Sequence, residues 1–368
     1  KYAWALVYRG RTYRQMSQYP EALADFDRVL EIDASNVDAL AGRGETYRLM
    51  SKYPEALADF DRAIELNDKY DWAIASRGQT YQQMGKFPEA LADFKRAIEL
   101  DDKDTWALIS CGQTYRQMGK YPEALADFDR ALEIEASNAE ALAGRGETYR
   151  LMGKYPEALA DFNNAIELDE KYTWAIASRG QTYYQMGEFA KALIDLGWAI
   201  ELDEKYAWAI RQRGIVYREL KTYERALEEI NRALALKPDN YSYLYSRGET
   251  YRRMGKLAEA IADFSKAIEA GEPDGSDFTR RAAVYLVLGD QAAAQQDLER
   301  ALSFECTSLN NHYHPDTTLI LSRRIPDALA ELEVAFSDLY YRVCARTDDL
   351  LDPLRDLPEF KALLEKYQ

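Results

Sequence analysis

Cysteine and histidine are nearly absent: 368 residues hold only Cys111, Cys306, Cys344, His312 and His314. That shortage removes most thiol and metal chemistry. Three scattered cysteines build no disulfide framework and fit a reducing compartment. His312 and His314, with Cys306 six residues before the first, form the only cluster of metal-ligating type. A zinc site takes three or four ligands in tetrahedral order, and no second pair supplies them. The two histidines therefore read as solvated loop residues, and no metal or cofactor is expected. Positive charge is also short, with 47 Lys and Arg against 63 Asp and Glu, a formal net charge of -16. Binding to a phosphate backbone needs clustered basic residues, so nucleic acid is not an expected partner. No apolar run approaches the roughly 18 residues of a membrane span. A soluble, cytoplasmic chain with no membrane partner is the expectation. The chain starts at Lys1 without an initiator Met and reads as a piece of a longer protein. Catalytic patterns are missing as well: no Ser/His/Asp or Cys/His arrangement stands in an elbow-like context, and neither GxGxxG nor GxxxxGK[ST] occurs. No catalytic residue is assigned, and the chain is not expected to be an enzyme.

What is present is a period. Gly10, Gly44, Gly78, Gly112, Gly146, Gly180, Gly214 and Gly248 stand 34 residues apart without a slip. A tyrosine follows each by three, from Tyr13 and Tyr47 to Tyr217 and Tyr251, and Ala282 with Tyr285 keeps the register in a ninth unit. Ala22, Ala56, Ala90 and their successors to Ala294 mark a second fixed position. Each unit reads as two helices. In the third, Ile74, Gly78, Tyr81 and Met84 recur at helical spacing. Gly85 then offers the left-handed cap that closes a helix, and Pro88 suits a first helical turn. The second helix runs through Ala90, Leu91, Phe94, Ala97 and Ile98. Small residues at Gly78 and Ala90 let the helices approach, while Tyr81 and Phe94 fill the space around the contact. One such pair cannot bury its own apolar stripe, so neighbours must stack.

These residues resemble the tetratricopeptide repeat, a 34-residue helix–turn–helix unit with Gly, Tyr, Ala and an aromatic at these offsets. The resemblance covers nine units, 3–36, 37–70, 71–104, 105–138, 139–172, 173–206, 207–240, 241–274 and 275–308. It implies an all-α fold: a right-handed superhelical solenoid of about nine units plus a helical C-terminal cap. The sequence departs from the family in two ways. The proline that usually closes each repeat survives only at Pro238, and Arg precedes the glycine where the family often has Leu. Above the 34-residue period lies a period of three units, since 4–66 matches 106–168 at 50 of 63 positions. Such arrays are similar to the repeat tails of bacterial signalling proteins, including STAND-type NTPases.

From about Leu309 the period stops. Residues 309–368 read as a degenerate helical capping segment. It comprises a loop with a short helix, an amphipathic stretch with Leu329, Leu332, Phe336, Leu339 and Val343 on one face, and a helix from about Pro358. The last repeat has an apolar face and no neighbour, so something must cover it.

Charged residues recur at fixed places too. Arg9, Arg43, Arg77, Arg145, Arg179, Arg213 and Arg247 precede the glycines, and Asp25, Asp59, Asp93, Asp127, Asp161, Asp195 and Asp263 hold one position on the second helix. The two series are expected to pair across each helix hairpin, bidentately and partly buried. Cys111 replaces the arginine in the fourth unit and reads as a small buried hydrophobe. The first helices are neutral to basic and the rest of the chain strongly acidic. If the aspartates neutralise the arginines, little of that inner charge is left to act on a ligand.

The resemblance implies that the first helices line a concave groove. Its candidate residues are Trp4, Trp72, Trp106, Trp174 and Trp208, Gln79, Gln113 and Gln181 after the glycines, and Arg14, Arg48, Arg116, Arg150, Arg218 and Arg252 three further on. Tryptophan and arginine dominate binding hot spots. The alternative for each tryptophan is packing over the neighbouring first helix, and the two roles are compatible. The family's carboxylate-clamp grooves use Asn and Lys, whereas here Gln, Glu, Arg or Ile215 follows the glycine, so capture of chaperone C-termini is not implied. Two functions follow: a non-enzymatic module holding a protein or peptide segment in the groove of a larger bacterial signalling or regulatory protein, or a structural spacer or autoinhibitory arm of a larger NTPase, kinase or protease. Oligomeric state is open.

Overall fold

The structure, a computed structural model, describes residues 3–271, 275–303, 313–335 and 349–367. All regular structure among them is helical, and the helices come in antiparallel pairs. They are α1 (Ala3–Gln15) and α2 (Tyr19–Ile32), α3 (Val37–Leu49) and α4 (Tyr53–Leu66), α5 (Asp71–Gln83) and α6 (Phe87–Leu100), α7 (Thr105–Gln117) and α8 (Tyr121–Ile134); α9 (Ala139–Leu151) and α10 (Tyr155–Leu168) follow in sequence. The series continues with α11 (Thr173–Gln185) and α12 (Phe189–Leu202), α13 (Ala207–Glu219) and α14 (Tyr223–Leu236), α15 (Tyr241–Arg253) and α16 (Leu257–Ala270), α17 (Gly275–Leu288) and α18 (Gln291–Leu302). The C-terminal segment adds α19 (Tyr313–Leu321), α20 (Ile325–Ala335), a 3₁₀ turn (Asp349–Leu354) and α21 (Pro358–Lys366). The chain is an all-α solenoid of paired helices, in two compact units, residues 1–152 and 153–368.

Local chemistry sets the helix ends. The link after α5 is closed by Gly85 at φ +72°, and Ser17, Ser51 and Lys221 take the same left-handed conformation where the glycine is missing. Proline sits in the first turn of α2, α4, α6, α8 and α10, where an N–H has no helical partner to lose. Asn36, Asp104, Asn138, Asn240 and Asp290 cap the helices that follow them. Ala90, Phe94 and Ala97 of α6 are fully buried with Ile74 of α5. A Cβ on Gly78 would stand 3.0 Å from the Phe94 ring, so only glycine lets these helices meet so closely.

The arginine preceding each repeat glycine fixes how a pair meets. Arg77 donates to both oxygens of Asp93 at 2.8 and 2.6 Å, and Arg9, Arg43, Arg179, Arg247 and Arg281 do the same with Asp25, Asp59, Asp195, Asp263 and Asp297. The remaining nitrogen, Nη1, reaches back to the preceding repeat. Arg43 donates to Asp27, Arg77 to Asp61, Arg145 to Asp129, Arg179 to Asn163, Arg247 to Asn231 and Arg281 to Ser265. One side chain thus joins its own second helix to the one before. The hydrogen bond to Asp93 holds the Arg77 guanidinium above its ordinary range, against the opposing effect of burial.

Two repeats break this pattern. Cys111 is buried, as its small apolar character suggests, and leaves Asp127 without an arginine. Asp127 Oδ2 has no hydrogen-bond partner, and burial pushes its carboxyl above the usual aspartate range. Lys95 stands where other repeats have Asp27 or Asp61, and its charge acts on Asp127 in place of the lost guanidinium. In the seventh repeat Glu229 replaces the aspartate and Gly197 the acceptor behind it. Arg213 keeps one bond, to Glu229 at 2.7 Å, while Arg213 Nε and Glu229 Oε2 go unpaired.

In the C-terminal segment, α19 lies against α17 and α18. The Thr279 and Thr318 hydroxyls hydrogen-bond across that contact. Leu319, Ile320, Ala328, Leu332, Leu351, Leu354, Phe360 and Leu363 form a separate small core. Cys306, His312, Phe336, Leu339, Val343 and Cys344 lie outside the described residues, as does the side chain of His314.

Candidate protein-binding groove

Within the first unit α1, α3, α5, α7 and α9 each touch the next of their series, and α11, α13, α15 and α17 do so in the second. Within each unit, among the described residues, no comparable contact joins successive second helices. First helices therefore form the tighter layer, and their outward side chains line its free face.

The candidate residues differ in exposure and in what they touch. Trp4 is 66% exposed and meets Tyr8 edge-on at 6.2 Å. Trp72, Trp106, Trp174 and Trp208 are half-buried. Trp72, Trp174 and Trp208 lean on Tyr70, Tyr172 and Tyr206 at 5.9–6.0 Å between ring centroids, while Trp106 packs edge-on against Phe94 at 6.4 Å. Trp106 is thus partly a packing residue. Gln113 donates to Glu140 at 2.9 Å, Gln181 Oε1 is buried without a partner, and Gln79 is half-buried.

The arginines fall into two groups. Arg48, Arg150 and Arg252 each clasp the glutamate three residues earlier, Glu45, Glu147 and Glu249, through paired hydrogen bonds of 2.6–2.9 Å. That i,i+3 spacing sets both ends on one helix face. In the first, fourth and seventh repeats no glutamate follows the glycine; Arg218 turns to adjacent Glu219, and Arg116 is half-buried on α7. Arg14 lies over the Trp72 ring at 5.7 Å, and its Nη1 is buried with no hydrogen-bond partner. Burial lowers the Arg14 pKa, yet a guanidinium remains charged.

Around Arg14 the structure brings together residues of three repeats. Tyr70 Oη donates to Asp38 at 2.9 Å, and Arg11 donates to the same carboxylate at 2.7 Å. Burial, aided by the bond to Asp38, raises the Tyr70 phenol above its ordinary range and keeps it a neutral donor. Trp72, Tyr70, Arg14, Glu45 and Arg48 thus form an aromatic floor beside a cation with one unsatisfied donor. Asp38 and Tyr70 were not singled out from sequence, whereas Glu45 stands at the polar position after the glycine, three residues before Arg48. Among the described residues no group of three or more His, Cys, Asp and Glu side chains could hold a metal ion. Among the described residues no helix is long and apolar enough to cross a membrane.

The fold and this side-chain face define a helical-repeat solenoid. Sequence profiles described as "Tetratricopeptide repeat" match residues 36–103, 73–137 and 105–171, and again 178–241, 211–275 and 245–305; a further "TPR repeat" profile matches 10–51. The chain belongs to the tetratricopeptide-repeat family, whose members generally serve as protein-interaction scaffolds. Among solved structures, a tetratricopeptide repeat protein from Parabacteroides merdae is similar at 21% identity and TM-score 0.55, over 70% of this chain and 98% of its own. PilF of Pseudomonas aeruginosa is similar at 19% identity and TM-score 0.48, over 56% and 95%. YrrB, described as having an unusual peptide-binding site, is similar at 23% identity and TM-score 0.40, over 51% and 97%. These likenesses concern the fold. None of the curated proteins matches this chain.

Proposed function

We propose that the chain is a non-enzymatic interaction module that holds a segment of a partner protein against its first helices, within a larger bacterial signalling or regulatory protein of the cytoplasm. The observation that carries this reading is the Arg14–Trp72 pair: a buried guanidinium nitrogen with no partner beside a half-exposed indole. A ligand carbonyl or carboxylate satisfies that donor while an apolar side chain covers the ring, the combination typical of hot spots. Rigid pairing of Arg77 and its equivalents supports the reading, because a preformed groove lowers the ordering cost of binding. Trp174 and Trp208, each half-buried beside a tyrosine, offer the same kind of floor in the second unit.

Packing of Trp106 on Phe94 favours the second reading, a spacer arm in which the tryptophans only stack repeats. A displayed peptide library selected on the chain separates the two. Groove binding predicts that selected peptides lose at least tenfold affinity for folded Trp72→Ala and Arg14→Gln variants. A spacer yields no enriched peptide, or peptides indifferent to both changes.

A further inference from the structure

The last first helices hold a dense set of buried charges. Arg218 donates to Glu219 at 3.0 Å, and Arg253 donates to Glu219 and to Glu249 at 3.0 Å each. Arg252 clasps Glu249 through two bonds of 2.9 Å, and Arg280 lies 3.8 Å from the same carboxylate. Asp277 acts in the same neighbourhood, around buried Tyr245. Four arginines and three carboxylates thus gather among the described residues of α13, α15 and α17.

A further carboxylate reaches this cluster from 97 residues away. Asp349 accepts from Arg252 Nη1 at 2.9 Å and Nη2 at 2.6 Å. The Arg252 side chain is 8% exposed, that of Asp349 47%. Asp349 opens the 3₁₀ turn, whose Leu351 and Leu354 are fully buried in the small C-terminal core. Leucines anchor the turn, and the carboxylate is laid on the arginine from the solvent side.

We propose that Arg252 is a carboxylate seat of the groove, filled in the resting chain by Asp349, and that the partner reaching this end is a protein segment whose acidic side chain takes the seat by exchange. The proposal rests on the groove-binding reading and names its ligand chemistry. A guanidinium edge recognises a carboxylate bidentately, which an amide or a hydroxyl does not reproduce. Asp349 is half exposed, so its side of the pair is open to an incoming carboxylate. Because it is tethered, it still competes at a high effective concentration, and a partner must offer more than one acidic group to prevail.

The test titrates fluorescein-labelled hexa-aspartate into the full chain at low salt, read by anisotropy, with hexa-asparagine as control. Asp349→Ala is expected to bind hexa-aspartate about tenfold tighter than the wild type, with no gain for hexa-asparagine. Arg252→Gln in the Asp349→Ala background is expected to abolish the gain. If that variant does not fold, Arg252→Lys is read instead, which keeps the charge and loses the fork. No gain from Asp349→Ala, or a gain that survives the Arg252 change, overturns the proposal. Peptides selected on Trp72 and Arg14 do not depend on Asp349, so failure here is distinguishable from failure of the groove reading.

Discussion

Arg77→Met removes three hydrogen bonds at once, and their surroundings set the cost. Asp93 loses both its donors while its side chain is only 7% exposed, so a buried carboxylate is left without a partner. Breaking a buried pair from one side costs about 3–5 kcal/mol. The third bond, to Asp61, adds at most about 1 kcal/mol, because that partner is 51% exposed. Methionine keeps part of the stem packing, which offsets some of the loss. The net expectation is a destabilisation of about 3–4 kcal/mol. Asp93→Asn in the Met background removes the buried charge at constant shape and should recover about half of it. Repeat arrays open piecewise, so urea unfolding is to be read together with amide hydrogen exchange in α5 and α6. If Arg77→Met unfolds at the wild-type urea midpoint, and Asp93→Asn changes nothing in its background, the pairing does not hold the hairpin together.

The exceptions supply further predictions. Asp127 has a raised pKa in the folded state, so the native chain keeps a proton that the unfolded chain has lost. Its penalty is present at neutral pH and is relieved as pH falls through the raised value towards the ordinary aspartate range. Relative to Cys111→Arg/Lys95→Asp, which restores the usual staple, the wild type should gain stability between about pH 7 and pH 4; parallel urea midpoints across that range would count against the assignment. Gly197→Asn should stabilise by about 1 kcal/mol, through helix propensity and a new acceptor for Arg213. The position is open, with Arg213 Nη1 3.9 Å from where the Cβ would lie; an unchanged or lower melting midpoint refutes this. Gly42→Ala should cost about 1–3 kcal/mol by overpacking, since its Cβ would stand 2.6 Å from the Phe26 ring. A neutral effect in calorimetry would mean that Phe26 is free to move.

Much of the fold was legible because its determinants recur. Glycine, tyrosine and alanine at fixed offsets, a left-handed residue at the turn and proline in the next helix leave little choice of local structure. The Arg–Asp pairing was legible for the same reason: both partners hold one place in nearly every repeat. The acceptor behind each arginine was not, because Asp27, Asp61, Asn163, Asn231 and Ser265 vary in identity, and only a shared polar character links them. Lys95 carried a usable signal, since the charge reverses in the repeat just before the one where Cys111 removes the arginine. The candidate groove residues could be named as a list of side chains, but which of their cations are already answered could not. Arg48, Arg150 and Arg252 have glutamates on their own helices, whereas the Arg14–Trp72 and Arg252–Asp349 contacts depend on tertiary geometry that no local spacing encodes.

Position-specific crosslinking tests the central claim most directly. A photoreactive phenylalanine analogue is placed at Gln79, on the first-helix face beside Trp72, or at exposed Glu99 on the second helix, and irradiated with a peptide selected on the wild-type chain. The account predicts crosslinks from position 79 and none from position 99, with the former lost when Trp72→Ala is added. Crosslinks from position 99, or equal yields from both, would place the ligand on the opposite layer and contradict it.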